Sequence, residues 1–201
     1  MVRYRGTEQA MQTPNVIITG TFVGSNVGTA YYGPLAAALD AEIICLNRHG
    51  LVHTRNSAER IATHLQRRYG GPVRAFGHSQ GGLVAAMLAH QAPELVSQAV
   101  CISAPLAGTA LAQRIVPIPA LRCMSTHSRL CLAVRPSPGM HTIVGDRDRV
   151  ILPWSSALLD GTDQHILRGA SHISICWDRR LLALCRQIVT APQPHPQPQA
   201  A

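Results

Sequence analysis

Apolar residues in this chain fall in short continuous runs, separated by longer stretches where apolar and polar positions mix. Val16-Ile17-Ile18, Ile43-Ile44-Cys45-Leu46, Ala99-Val100-Cys101-Ile102 and Ile143-Val144 are such runs. Runs without polar alternation suit strands buried on both faces, as in a parallel sheet covered by helices. Strands are therefore expected near 15–19, 42–46, 73–77, 98–103, 140–145 and 164–168. The intervening patterns predict helices near 33–39, 57–69, 81–91, 153–160 and 175–190. Ser57 is a plausible N-cap for the second helix, with Arg60, Arg67 and Arg68 on its solvent side. The alternation of strand and helix predicts one α/β domain over residues 1–190.

Two segments fall outside that alternation. Residues 107–139 separate two strands without a clear element of their own, and the runs 115–121 and 130–134 within them are apolar and punctuated by proline. This stretch reads either as a short cap or acyl-binding wall, or as an ordinary packed loop with a short helix. Residues 191–201 are Pro/Gln low complexity and read as a disordered tail.

Composition narrows the picture. At 201 residues with 46% hydrophobic content, the chain can bury a proper core, which aliphatic side chains must build because aromatics are only 4%. The net charge is +8, and every basic residue is arginine. A basic chain raises nucleic acid as a partner, but the arginines are dispersed and no aromatic platform accompanies them, so no nucleic-acid role is expected. The N-terminal residues lack the apolar core of a signal peptide, and no run approaches a membrane span. A cytoplasmic location is the resulting expectation. Six cysteines include no C-x-x-C, which argues against zinc. Cys45 and Cys101 fall in expected strands; Cys123 and Cys131 leave open whether they are bonded.

The chemistry concentrates at Gly77-His78-Ser79-Gln80-Gly81, between an expected strand and an expected helix. Strand, G-x-S-x-G, helix is the context of a nucleophile elbow, where a sharp turn lifts the serine hydroxyl clear of the sheet. Side chains at Gly77 and Gly81 would strike neighbouring backbone in such a turn. The following helix would aim its N-terminal dipole at a reacting carbonyl. A serine needs a base, and the base needs an orienting acid. Asp146 and Asp148 follow one expected strand, and His172 follows the next. Both loops lie at the carboxyl ends of strands, where open α/β sheets build their sites. His165 is the rival base, but it falls within a strand. His78 reads as a structural residue beside the site.

Four stretches resemble the α/β-hydrolase superfamily and its small lipase and esterase branch: Gly77 to Gly82, Ser103 to Thr109, Gly145 to Pro153, and Gly169 to His172. The third is similar to G-x-x-D-x-x-V, which points to Asp148 as the acid, with Asp146 the alternative. The fourth is similar to G-x-x-H and points to His172. The resemblance implies a minimal α/β-hydrolase fold of about six mostly parallel strands with helices on both faces. It implies an oxyanion hole from the backbone N–H groups of Thr21 and Gln80, Phe22 being a less favoured donor. Where the family carries His-Gly after the first core strand, this chain has Thr19-Gly20.

The expected activity is therefore hydrolysis of a small-molecule acyl ester by Ser79, Asp148 and His172, with no metal or organic cofactor. Phe22, Ile118 and Leu121 are candidate substrate contacts. Thioesterase or acyltransferase chemistry would use the same groups, and a non-catalytic binding protein on the same scaffold is the alternative of another class.

Overall fold

The computed structural model describes residues 13–114 and 118–191. The expected 191–201 tail, except for Ala191, and residues 115–117 of the 107–139 segment lie outside the described residues.

Six strands form one parallel sheet: β1 (Asn15–Ile18), β2 (Ala41–Ile44), β3 (Val73–His78), β4 (Val96–Ile102), β5 (His141–Gly145) and β6 (Asp163–Leu167), in the order β2-β1-β3-β4-β5-β6. All six fall where strands were expected, although β6 at the sheet edge is largely exposed and apolar only at Ile166 and Leu167. The order reverses direction after β2, so the loops following β1 and β3 meet at a topological switch point.

Helices cover both faces. On one face lie α2 (Thr54–Tyr69) and α3 (Gln80–Gln91), packed on Val16, Ile18, Ala75, Ala99 and Cys101. On the other lie α1 (Ser25–Leu39) and α7 (Arg179–Thr190), packed on Ile17, Phe76, Val100, Ile102 and Ile143. The two sets alternate along each strand, as the pleat requires. α7 shows the regular helical spacing, with Leu181, Cys185 and Ile188 buried.

Several expected boundaries move. α1 begins at Ser25, eight residues before the expected start at 33. Its first turns carry weak helix formers, among them Asn26, Gly28 and Thr29, and packing overrides propensity there. Gly28 passes so near β2 that an added Cβ would sit 3.0 Å from Cys45 Sγ. Ser57 is not the cap of α2. His53 occupies that place, its Nδ1 accepting the Arg55 N–H at 3.3 Å, while Ser57 is buried one turn in and donates to Asn47 Oδ1 at 2.9 Å. The helix expected over 153–160 is one 3-10 turn, Trp154–Ala157. The helix expected over 175–190 is split: a 3-10 turn spans Ser174–Trp177, then Asp178 caps α7 by accepting the Arg180 N–H at 2.9 Å.

The 107–139 segment builds three short helices, α4 (Ala110–Arg114), α5 (Pro119–Cys123) and α6 (Arg129–Leu132), on the α3 side of the sheet. Cys123 and Cys131 are both free thiols.

Candidate active site

The elbow follows from local geometry. β3 ends at His78 and α3 starts at Gln80, leaving Ser79 alone to make the turn at φ 56°, ψ −125°. A non-glycine residue held there costs about 1–3 kcal/mol, strain that concentrates at functional sites. Ser79 sits at the N-cap position of α3, yet its side chain makes no capping bond. The hydroxyl is therefore not consumed by the helix. Backbone bonds hold the turn: Ser79 N–H donates to Ile102 O at 2.9 Å, and Gly82 N–H donates to Ser79 O at 3.0 Å. A Cβ on Gly77 would overlap the Gly81 carbonyl, and one on Gly81 would overlap the carbonyls of Ile18 and Thr19. The elbow glycines are required by these close approaches.

The two loops singled out for acid and base bring Asp148 and His172 together. Asp148 and His172 are both buried, and His172 Nδ1 stands 2.8 Å from Asp148 Oδ2. The other oxygen, Oδ1, accepts the N–H groups of Val150 at 2.8 Å and Ile151 at 2.9 Å. Burial pushes the Asp148 carboxyl up, but the hydrogen bond and charge of His172 and the two N–H donors outweigh it. Its pKa lies below the ordinary carboxylate value. Asp146 does something else: its Oδ1 accepts the Gly169 N–H at 2.6 Å, tying the β5 loop to the loop that carries His172. His165 stays in β6, with Nε2 3.3 Å from His141 Nδ1. The geometry thus brings Asp148, not Asp146 or His165, into this pair.

The stretch from Ser103 to Thr109 buttresses the acid loop. Thr109 Oγ1 donates to Val150 O at 2.7 Å and accepts the Leu152 N–H at 2.9 Å. Ser103, at the end of β4, is a second strained residue, at φ 44°, and its buried hydroxyl has no partner among the described residues.

At the expected oxyanion-hole residues, Thr21 Oγ1 donates to Gln80 Oε1 at 2.9 Å, and Gln80 Nε2 donates to Thr54 Oγ1 at 3.1 Å. The loop after β1 is thereby fixed to the residue after Ser79. Phe22 N–H donates to His49 O at 2.7 Å, so it is spent. The backbone N–H groups of Thr21 and Gln80 have no acceptor among the described residues. Of the candidate substrate contacts, Phe22 is exposed, while Leu121 is buried in the core under α3 with Ile118 packed against it.

One network was not legible in the sequence. Gly20 N–H donates to Tyr32 Oη at 3.0 Å, Tyr32 Oη lies 2.8 Å from His78 Nδ1, and His78 Nε2 lies 3.0 Å from His172 O. A carbonyl only accepts, so Nε2 carries the His78 proton. Nδ1 must then accept from Tyr32, whose oxygen accepts from Gly20. Every bond has one direction, and the chain links the loop after β1 to the backbone of His172. Burial above all, and the neighbouring His172 charge, push His78 down to about 3, so it stays neutral. Where the resembling family has His-Gly, Thr19 Oγ1 accepts the Leu46 N–H at 3.3 Å, and His78 with Tyr32 holds the glycine instead. Tyr32 lies 46 residues from His78, and no spacing rule points to it. Among the described residues, no group of three His, Cys, Asp or Glu is placed to hold a metal ion.

A parallel sheet with a strained serine elbow at its switch point and an Asp–His pair on the following loops defines an α/β-hydrolase architecture. The family model for the alpha/beta hydrolase fold matches residues 33–121. Solved structures agree over nearly the whole chain. A Mycobacterium tuberculosis protein provisionally assigned as the non-heme bromoperoxidase BpoC superposes at TM-score 0.64 and 17% identity, covering 89% of this chain and 93% of that one. A Paleococcus ferrophilus monoacylglycerol lipase superposes at 0.61 and 16%, covering 89% and 96%. A thioesterase domain from the curacin biosynthetic pathway superposes at 0.59 and 12%, covering 90% and 92%. No curated protein sequence matches the chain. The chain carries the α/β-hydrolase fold, and at these identities the likeness extends to fold alone.

Proposed function

We propose that this protein is a serine hydrolase of carboxylic esters. The observation that carries the reading is the buried 2.8 Å contact between His172 and Asp148, on the loops beside the strained, uncapped Ser79. Ser79 attacks the ester carbonyl while His172 takes its proton. Asp148 holds the imidazole by Nδ1, which leaves Nε2 as the base and stabilises the imidazolium. The N–H groups of Thr21 and Gln80 receive the oxyanion, the second at the start of α3 where the helix dipole adds to it. His172 returns the proton to the leaving alcohol, and water then clears the acyl-enzyme by the same route. The steps call on side chains and backbone alone.

The substrate is a small-molecule ester. The six free thiols support a reducing, cytoplasmic setting, and no helix among the described residues is long and apolar enough to cross a membrane.

A fluorophosphonate probe should label Ser79, and Ser79→Ala should lose both the label and p-nitrophenyl ester hydrolysis, by on the order of a millionfold in turnover. A folded Ser79→Ala variant with full esterase activity would exclude Ser79 as nucleophile. A wild-type chain that neither labels nor hydrolyses would favour a binding protein on this scaffold.

A further inference from the structure

A cavity of about 940 Å³ opens between α2, α3 and the α5–α6 segment, apart from the site around Ser79. Its lining includes Arg55, Arg122, Arg129, Arg135, His53 and His90, and no carboxylate among the described residues. The ion pairs among the described residues lie elsewhere. Glu42 engages His64 and Arg68, Asp163 engages His141, Asp148 engages His172, and Asp178 engages Arg180. Glu59, one turn along α2 from Arg55, is outside the lining. Arg135 is tied to the carbonyls of Leu132 and Val134. Arg55, Arg122 and Arg129 make no ion pair among the described residues and are exposed at the rim.

The floor is of another kind. Ala86 and Met87 of α3 meet Leu130 and Val134, all aliphatic or thioether, and no Phe, Tyr or Trp among the described residues lines the cavity. Its volume lies in the range that encloses an organic ligand of drug size, far more than an inorganic ion needs. Several guanidinium groups match a multiply charged oxyanion such as a phosphate ester, which arginine grips with paired N–H donors. The aliphatic floor suits an alkyl chain. Only the exposed imidazoles of His53 and His90 offer ring faces, a poorer stacking platform for a nucleobase than Phe, Tyr or Trp.

Position relates the cavity to the site. Ala86 is seven residues into the helix that starts after Ser79, about 10 Å along its axis. At the other edge Thr54, between His53 and Arg55, accepts the side-chain N–H of Gln80. In a phosphate-bearing acyl ester the ester and the phosphate are separated by a distance of this order.

We propose that this cavity binds the phosphate head of a single-chain anionic lipid together with the carbon skeleton that adjoins the phosphate. Resting on the reading of Ser79 given above, this makes phosphate-bearing acyl esters the preferred substrate class.

The test has two arms. In the first, calorimetry on the Ser79→Ala chain at physiological ionic strength measures binding without turnover. Dodecyl phosphate should bind one per chain. Arg122→Gln with Arg129→Gln should weaken it at least tenfold while the circular dichroism spectrum is unchanged. Dodecyltrimethylammonium, with the same chain and opposite charge, should not bind, and adenosine 3′,5′-bisphosphate should not displace the lipid. In the second arm, wild-type chain should show a KM for 1-acylglycerol 3-phosphate at least tenfold below that for the matching uncharged monoacylglycerol. The double variant should lose that preference by raising the first KM and leaving the second alone. Equal dodecyl phosphate binding by parent and double variant, binding of the cationic twin, or displacement by the nucleotide would each overturn the proposal. If wild type cleaves neither ester, the Ser79 reading fails, and the binding arm still decides the cavity.

Discussion

Replacing His78 by glutamine separates its buried network from its titration. Glutamine can still accept from Tyr32 and donate to the His172 carbonyl, but it takes up no proton. In the folded chain burial, reinforced by the charge of His172, lowers His78 from its ordinary 6.5 to about 3, against the opposing His172 carbonyl and Asp148 charge. The unfolded chain protonates this histidine below about pH 6.5, and the folded chain does not until about pH 3. As pH falls through that window the unfolded state binds the extra proton, so stability is lost at up to about 1.4 kcal/mol per pH unit. The full contribution, present above pH 6.5, is at most about 5 kcal/mol, the product of that slope and the span from 6.5 down to about 3. Urea unfolding of wild type and His78→Gln, followed by circular dichroism from pH 7 to pH 4, isolates it because the other titrating groups cancel in the difference. The wild-type advantage should shrink by roughly 3 kcal/mol between pH 6.5 and 4. A difference that stays flat across that range would refute the claim that His78 is buried neutral.

Asp148→Asn should cost about ten-thousandfold in turnover, because the amide favours the wrong His172 tautomer. Asp146→Asn should cost far less, and the reverse order in ester hydrolysis assays would move the acid. Tyr32→Phe should leave the Gly20 N–H and His78 Nδ1 without partners, destabilising the chain by about 2 kcal/mol in urea titrations. It should also lower kcat more than it raises KM, since the oxyanion loop is engaged most in the transition state; a pure KM effect would show that the network does not position that loop. Gly77→Ala should lower stability by about 3 kcal/mol or more, because its methyl meets fixed backbone of Gly81 and Gly82 rather than a movable side chain. A thermal midpoint within a degree or two of wild type would mean the elbow can open.

What the sequence determined by itself was whatever short-range pattern encodes. Strands were expected at six places and six are found; the inner ones follow from continuous apolar runs, because a run buried on both faces has few other stable fates, while β6 at the edge is largely exposed. The glycines around Ser79 announced a turn too tight for side chains, and Ser79 occupies it at positive φ. The loops that would carry acid and base could be named from chain order. Boundaries failed where packing or a single cap decided them. α1 extends through Gly28 because Tyr32 and Leu35 bury against the sheet, and α7 starts at Arg179 because Asp178 caps it. The choice between Asp146 and Asp148 needed the tertiary structure, since two residues on one loop point to different partners only once the loop is folded. Asp148 turns in to His172, and Asp146 reaches across to Gly169. The Gly20–Tyr32–His78–His172 chain joins β1, α1, β3 and the loop after β6. The arginine-lined cavity likewise gathers side chains from α2, α3, α5 and α6. Neither has a signature along the chain, because hydrogen bonds and charge fields act through space between segments that only the fold brings together.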